Sequence, residues 1–316
     1  MKIDLHLHLD GSLRPSTVWE LAKEQKITLP AASKEELTSL LQVPEDCQSL
    51  NEYLKCFDLP LLVLQKPEAL ERVTFELIED LAFEGVTYAE IRFAPQLSIK
   101  DGMTIEEAVK AAIQGLKKGL ACYKTIQAGL ILCYMRGAEN QALNKETLMA
   151  AKKYYGKEVL AVDLAGAEAL FPTGNYKELF RETKKAGIPF TIHAGEADGA
   201  DSVRKAIEFG AKRIGHGIRA IEDQSLVQQI IKEKIVLEVC PISNFHTKLA
   251  TEISRYPIRE LYEQGVRITI NTDNRTVSNT SLDREYTFIK EYYNFTGQEI
   301  AQLNEYAKEA AFLTIK

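Results

Sequence analysis

The sequence predicts an α/β fold and, within that class, a (β/α)8 TIM barrel with a helical insertion after the first strand. Short apolar strand patterns alternate with amphipathic helix patterns along the chain. Eight strand patterns occur, and no glycine-rich phosphate loop marks the open, doubly wound sheet that is the main alternative. Polar side chains stand at several strand ends, as they do around the mouth of a barrel.

The strand patterns cover residues 2–8, 86–94, 128–135, 158–166, 188–195, 211–217, 234–241 and 266–273. Several helix patterns fill residues 10–84, between the first two strands. The first crossover therefore carries an insertion, which we expect to lie over the carboxyl-terminal mouth as a lid. A later pattern over 201–210 predicts a helix that is capped by Asp201 or Ser202 and ends at Gly210.

Composition limits the classes of function. The 316 residues carry a net charge of −6, so no basic surface for nucleic acid is expected. Five scattered cysteines without a CxxC pair favour reduced thiols in the cytoplasm over disulfides or a cysteine-bound zinc. The longest apolar run, 59–64, is too short to span a membrane, and no leader pattern precedes the first strand. Because no long linker interrupts the rhythm, residues 1–316 are expected to form a single domain.

Four potential metal ligands occur at predicted strand ends. His6 and His8 lie two apart, so they share one face of the first strand. His193 and Asp273 end the fifth and eighth strands, and barrel strand ends converge on one mouth. A lone histidine is usually a core residue, but three imidazoles and a carboxylate form a ligand set suited to Zn²⁺. The fourth strand ends without the modified lysine that commonly bridges the two metals in two-metal hydrolases of this general architecture, so one ion per chain is predicted.

Two further residues extend this set toward hydrolysis. Glu196 follows His193 by three residues and is a candidate general acid/base; the alternative is an acid that stabilises the helix beginning near residue 201. His216 is flanked by glycines and could orient an attacking hydroxide; the alternative is a structural histidine in a tight turn. A bound zinc can lower the pKa of its water to near neutrality, so the set predicts a hydrolase.

Taken together, these motifs resemble those of the adenosine deaminases of the metal-dependent amidohydrolase superfamily. From residue 3 to beyond residue 282, seven signatures occur in the family's order: LHLHLDGSLRP, IRFAP, DLAGAE, IHAGE, RIGHGI, LEVCPISN and INTDN. The resemblance implies a (β/α)8 barrel with one Zn²⁺. It also implies hydrolysis of adenosine or deoxyadenosine, small purine nucleosides, to inosine or deoxyinosine and ammonia.

The resemblance further implies roles for individual residues. Asp273 would help to activate the water, Glu196 would protonate purine N1 as C6 is attacked, and His216 would position the hydroxide. Many relatives carry a second aspartate facing purine N7, whereas this chain has Asn274 there. The remaining substrate contacts implied are His8, Asp10 at a ribose hydroxyl, the Gly166 N–H at N3, Met135, and a gate helix with Leu50, Tyr53, Leu54 and Phe57. The helical spacing of the gate residues fits plain helix core equally well.

Two other functions stay open at this stage. One is deamination of adenine or of another 6-aminopurine compound such as aminodeoxyfutalosine. Asp10 favours a nucleoside, because adenine deaminases tend to carry glutamate at that position. The other is a catalytically dead zinc protein that acts as a regulatory partner, and the presence of both Glu196 and His216 argues against it. The sequence makes no prediction of the oligomeric state.

Overall fold

The computed structural model describes residues 1–315 and contains the eight parallel strands that the sequence predicts. They form two four-stranded sheets in which neighbours in sequence are neighbours in space. The strands are β1 (Ile3–His8), β2 (Tyr88–Phe93), β3 (Gln127–Met135), β4 (Val159–Ala165), β5 (His193–Ala194), β6 (Arg213–His216), β7 (Val236–Val239) and β8 (Arg267–Ile270).

Backbone hydrogen bonds at two seams close the two sheets into a barrel. At the first seam, His8 N donates to Asp273 O (2.6 Å) and Asp273 N donates to His6 O (2.8 Å). At the second seam, Thr191 N donates to Val162 O of β4 (3.1 Å). The first seam therefore brings three of the predicted metal ligands together through the backbone itself.

The fifth strand is shorter than the predicted 188–195. Only His193–Ala194 pair as a strand, with β6, and the preceding residues meet β4 through a single bridge at Phe190. Pro189 lies in this stretch and has no N–H to donate to a neighbouring strand, which interrupts regular pairing there. The apolar character of residues 188–195 predicted the strand correctly, but it did not predict the length over which the strand pairs.

Helices surround the barrel, and the first crossover carries the predicted insertion. Its helices α1–α4 precede the long crossover helix α5. The helices are α1 (Pro15–Glu24), α2 (Lys34–Leu41), α3 (Leu50–Tyr53), α4 (Asp58–Val63), α5 (Pro67–Glu84), α6 (Ile105–Cys122), α7 (Gln141–Tyr154), α8 (Lys177–Lys185), α9 (Ala200–Phe209), α10 (Gln224–Glu233), α11 (Pro241–His246), α12 (Ile258–Glu263), α13 (Leu282–Tyr293) and α14 (Gly297–Ala310). Short 3₁₀ helices cover Leu54–Phe57, Pro95–Ser98, Ala138–Asn140, Thr173–Tyr176, Ile218–Glu222 and Ile253–Arg255.

Helix α9 begins at Ala200, so the predicted cap at Asp201 or Ser202 is wrong. Asp201 lies in the first turn, and the Ser202 hydroxyl is instead engaged by the Glu168 carboxylate at 2.5 Å. The predicted end at Gly210 is correct. This residue adopts a φ of +110°, a conformation that glycine reaches without strain.

The main core lies between the strands and the helices around them. Alternate strand residues such as Leu7, Leu132 and Leu164 are fully buried there. The side chains between them point into the barrel, which is why Arg92 and Asp163 are also fully buried. No helix within residues 1–315 is both long enough and apolar enough to cross a membrane.

Candidate metal centre and substrate pocket

The four predicted ligands meet at the carboxyl-terminal mouth, with their donor atoms within 4.8 Å of one another. His8 Nε2 lies 3.1 Å from His193 Nε2, and Asp273 Oδ1 lies 3.4 Å from Nε2 of both His6 and His8. Zinc bonds of about 2.0–2.2 Å in a tetrahedral arrangement separate ligand atoms by about 3.3–3.6 Å. The spacing therefore fits one ion of that size.

The carboxylates behind two of the histidines also suit a metal. His6 Nδ1 lies 2.9 Å from Glu238 Oε2, and His193 Nδ1 lies 2.8 Å from Asp163 Oδ2. An ionised carboxylate only accepts, so each Nδ1 carries the hydrogen and each Nε2 directs a lone pair toward the centre. His6 Nε2 is buried and has no hydrogen-bond partner among the described residues. These donor atoms therefore fit a metal ion.

Arg92 connects the two carboxylates beneath the ligands. Its guanidinium lies 2.8 Å from Asp163 and 2.9 Å from Glu238, and all three side chains are fully buried. Burial alone would raise the pKa of Glu238, but Arg213 and Arg92 hold that pKa well below its usual value. Burial is likewise outweighed at Asp163, where His193 and Arg92 lower the pKa. Both carboxylates therefore remain ionised acceptors for the ligand imidazoles.

A second donor set shares His6 and Asp273 with the first but adds His216 and Cys240. Two ligands are common to both sets, so the two candidate metal positions overlap. Burial raises the pKa of the Cys240 thiol well above its usual value, whereas zinc binds the thiolate. The set with His8 and His193 is therefore the better zinc site.

Glu196 lies in the loop between β5 and α9, with its carboxyl group buried at the pocket floor. Burial raises its pKa well above the usual value, and the charges of Asp273 and Glu168 raise it further. This shift favours the protonated carboxyl group, which can donate its hydrogen. Because α9 begins four residues later, the alternative role of a helix-stabilising acid does not fit this position.

His216 and Asp273 both adopt left-handed backbone conformations, with φ of +59° and +57°. Such conformations cost about 1–3 kcal/mol each in residues other than glycine and concentrate at functional sites. His216 Nε2 lies 3.5 Å from Glu196 Oε2, and the Ser243 hydroxyl donates to Asp273 Oδ2 at 2.6 Å. Burial lowers the pKa of His216 well below its usual value, so this imidazole is neutral.

Glu168 holds the loop that carries Glu196. One carboxylate oxygen accepts backbone N–H groups from Glu196, Ala197 and Asp198 at 2.7–3.0 Å. The other accepts the Gly195 N–H at 2.7 Å and the Ser202 hydroxyl. A single buried side chain thus fixes four successive residues of the loop.

The predicted substrate residues surround one cavity of about 220 Å³ above the metal ligands. The gate helix residues line this cavity and also pack in a small apolar cluster, so their positions are compatible with a pocket wall and with plain helix core. The residues that line the cavity include every predicted catalytic and substrate residue, namely His8, Asp10, Leu50, Tyr53, Leu54, Phe57, Met135, Gly166, Glu196, His216, Asp273 and Asn274.

Polar atoms in this cavity are left free for a ligand. Asp10 Oδ1 is buried without a hydrogen-bond partner, and burial raises the pKa of this carboxyl to about 7. Gly166 has a φ of +105°, which turns the chain sharply at the cavity wall. Tyr53 Oη forms a 2.7 Å hydrogen bond with Ser278 Oγ, which ties the gate helix to the loop after β8.

Six residues of the site were not predicted from the sequence: Arg92, Asp163, Glu238, Glu168, Ser243 and Asn244. The sequence does contain a signal for Arg92, Asp163 and Glu238, because each is a charged residue inside an otherwise apolar strand. Such a residue is rarely buried unless a partner is buried with it. The partners themselves lie too far apart in the chain for the pattern to pair them.

Comparisons with protein families, with curated proteins and with solved structures all find deaminases. The family model described as Adenosine deaminase matches residues 1–316. An adenosine deaminase from Haemophilus ducreyi is 50% identical over 315 residues, which cover 99% of this chain and 92% of that protein. Among solved structures, an adenine deaminase from Arthrobacter aurescens has a TM-score of 0.91 at 26% identity, covering 99% of this chain and 94% of that one. An N6-mAMP deaminase from Arabidopsis has a TM-score of 0.86 at 27% identity, covering 99% and 93%.

Proposed function

The chain belongs to the adenosine deaminase family, and from that premise we propose how its residues carry out the hydrolytic deamination of adenosine to inosine and ammonia. Family and reaction agree with the sequence prediction. One zinc ion per chain would be held by His6, His8, His193 and Asp273. The observation that carries this assignment is the set of 3.1–3.4 Å separations among their donor atoms.

When bound, the ion would polarise a water molecule and lower its pKa toward neutrality. Asp273 Oδ1 faces the same centre and can accept a proton from that water, while Ser243 holds the other oxygen of the carboxylate. His216 lies beside this position, 3.5 Å from Glu196, and can hold the water's oxygen in place by a hydrogen bond.

Glu196 would supply the proton that the purine needs. Attack of the water on C6 places negative charge on N1, and a protonated carboxyl group beside N1 neutralises it. Burial and the neighbouring charges of Asp273 and Glu168 raise the pKa of Glu196 and so favour its protonated form before the reaction. One proton of the water passes to Asp273 and then to the exocyclic amine, which leaves as ammonia. The remaining hydroxyl proton passes to Glu196, which restores that carboxyl group and leaves the 6-oxo group of inosine.

The remaining polar groups would orient the nucleoside. The unpartnered Asp10 Oδ1 offers an acceptor to a ribose hydroxyl, and the Gly166 N–H would meet purine N3. Purine N7 only accepts hydrogen bonds, so the Asn274 amide N–H is a suitable partner. Apolar side chains from the gate helix, together with Met135, would pack against the base.

A nucleoside fits this cavity better than a nucleotide. Within residues 1–315, no lysine or arginine lines the cavity, whereas a 5′-phosphate would call for a cationic side chain. A free base would leave the buried Asp10 oxygen without a partner, at a cost of about 1–3 kcal/mol.

All five cysteines are free thiols, which supports the cytoplasmic location expected from the sequence.

A side-by-side assay tests the substrate assignment. Purified, zinc-loaded protein would be mixed with adenosine, deoxyadenosine, adenine, AMP and aminodeoxyfutalosine, and deamination followed by ultraviolet absorbance. We expect the two nucleosides to have the highest kcat/KM. A higher kcat/KM for adenine or AMP would contradict the assignment, and no turnover of any of them would favour a non-catalytic zinc protein.

A further inference from the structure

Three of the buried histidines in the site differ in what contacts their Nδ1 atom. His6 and His193 face carboxylates, which only accept hydrogen bonds. His216 Nδ1 instead lies 2.9 Å from Asn244 Nδ2, an amide nitrogen that only donates. The partner of His216 therefore has the opposite hydrogen-bonding character from the partners of the metal ligands.

A second contact agrees with this orientation of the Asn244 amide. The Tyr256 hydroxyl donates to Asn244 Oδ1 at 2.8 Å, and all three side chains in this chain of contacts are buried. With its oxygen engaged by Tyr256, the amide presents its NH₂ group to the imidazole. Tyr256, Asn244 and His216 thus form a directed series of hydrogen bonds.

We propose that Asn244 is a positioning residue that holds neutral His216 in the tautomer with hydrogen on Nε2. Because the amide donates to Nδ1, that nitrogen must be the acceptor and the ring hydrogen must lie on Nε2. Nε2, on the opposite side of the ring, points toward the Glu196 carboxyl, 3.5 Å away. This inference rests on the proposed deaminase site and assigns one role within it.

The tautomer determines what His216 can do. An Nε2–H group can hold the oxygen of the attacking water, but it cannot take a proton from it. The role of base therefore falls to Asp273 alone. An Nε2 atom that carries a hydrogen also cannot coordinate a metal, so the donor set with His216 and Cys240 is excluded.

Helix α11 places Asn244 beside a second positioning contact. The preceding residue, Ser243, donates to Asp273 Oδ2 at 2.6 Å. The Ile242 N–H of the same helix is accepted by Glu285 Oε2 of α13 at 3.1 Å. One turn of α11, anchored from α13, thus orients both residues that face the water.

The test replaces the donor by an acceptor of the same size, in Asn244→Asp. The new carboxylate should move the ring hydrogen to Nδ1 and leave Nε2 as an acceptor. The ¹⁵N chemical shifts of the His216 ring, measured on histidine-labelled, zinc-loaded protein, report the tautomer directly, and the His216→Gln variant identifies the signals. We expect Nε2–H in the parent, Nδ1–H in the variant, unchanged zinc content, and a loss of about 10²–10⁴-fold in kcat.

Two further variants keep the test sharp. Tyr256→Phe removes only the hydroxyl that orients the amide, so it should give a mixture of tautomers and a smaller loss of kcat. Asn304→Asp, at a buried asparagine in α14 that does not line the pocket, is the matched control and should leave the His216 signals and kcat unchanged.

Hydrogen on Nδ1 in the parent would overturn the inference, as would an Asn244→Asp variant that keeps both the parent tautomer and the parent kcat. A variant with the exchanged tautomer and full kcat would refute the donor role of His216. Failure of the parent to deaminate adenosine would contradict the proposed function instead, and the ring shifts would still report the tautomer.

Discussion

Glu168→Gln should disorganise the loop that positions Glu196 without touching the metal ligands. The carboxylate of Glu168 is 1% exposed and accepts five hydrogen bonds, four of them from successive backbone N–H groups. Glutamine has one acceptor oxygen in place of two. The oxygen will stay with the three N–H groups at Oε2, so the amide nitrogen will face the Gly195 N–H.

The magnitude follows from these contacts. Leaving the buried Gly195 N–H without a partner costs about 1–3 kcal/mol, and each of the three remaining bonds weakens by about 1 kcal/mol without the negative charge. Allowing for non-additivity within one group, the total is about 4 kcal/mol. For 316 residues the unfolding entropy is about 0.7 kcal/mol per kelvin, so Tm should fall by about 6 °C.

Calorimetry and steady-state kinetics measure the two consequences. A Glu196 carboxyl displaced by about 1 Å should lower kcat by ten- to a hundred-fold, while KM changes little because Asp10 and Asn274 are untouched. Glu178→Gln on exposed helix α8 is the matched control and should shift the unfolding free energy by less than about 0.5 kcal/mol. A Glu168→Gln protein with the parent's Tm and kcat would refute the reasoning.

Three further changes have defined outcomes. Glu196→Gln should retain zinc and substrate affinity but lose about 10²–10⁴-fold in kcat, measured beside metal analysis; loss of zinc would instead indicate a structural role. Asn274→Leu should lower kcat/KM by ten- to a hundred-fold and no longer discriminate against a 7-deaza analogue. Burial raises the pKa of Glu285 to about 8. Because this exceeds the unfolded value, stability should fall from about pH 5 through 8, by up to about 1.4 kcal/mol per unit, and Glu285→Gln should flatten that fall in thermal melts.

The sequence predicts the barrel well because its signals are local. A strand's apolar alternation and the polar residue at its end both lie within about ten residues, and strand ends of a parallel barrel meet by geometry. This is why His6, His193 and Asp273 could be grouped without any structure. The family motifs extended the set to Asp10 and Asn274, which line the same cavity.

The supporting residues could not be predicted because their partners are distant in the chain. Arg92 contacts Glu238 across 146 positions, and Asn244 contacts His216 across 28. A charged residue in an apolar strand indicates that a partner exists, but not which one. The predicted start of α9 was wrong for the same reason, because the Ser202 hydroxyl donates to Glu168 instead of capping its own helix.

The most direct test of the metal assignment is anomalous diffraction from crystals of the zinc-loaded protein, recorded on both sides of the zinc absorption edge. We expect one peak per chain, within bonding range of Nε2 of His6, His8 and His193 and of a carboxylate oxygen of Asp273. Two peaks per chain, or a single peak bonded to Cys240 and His216, would contradict the assignment.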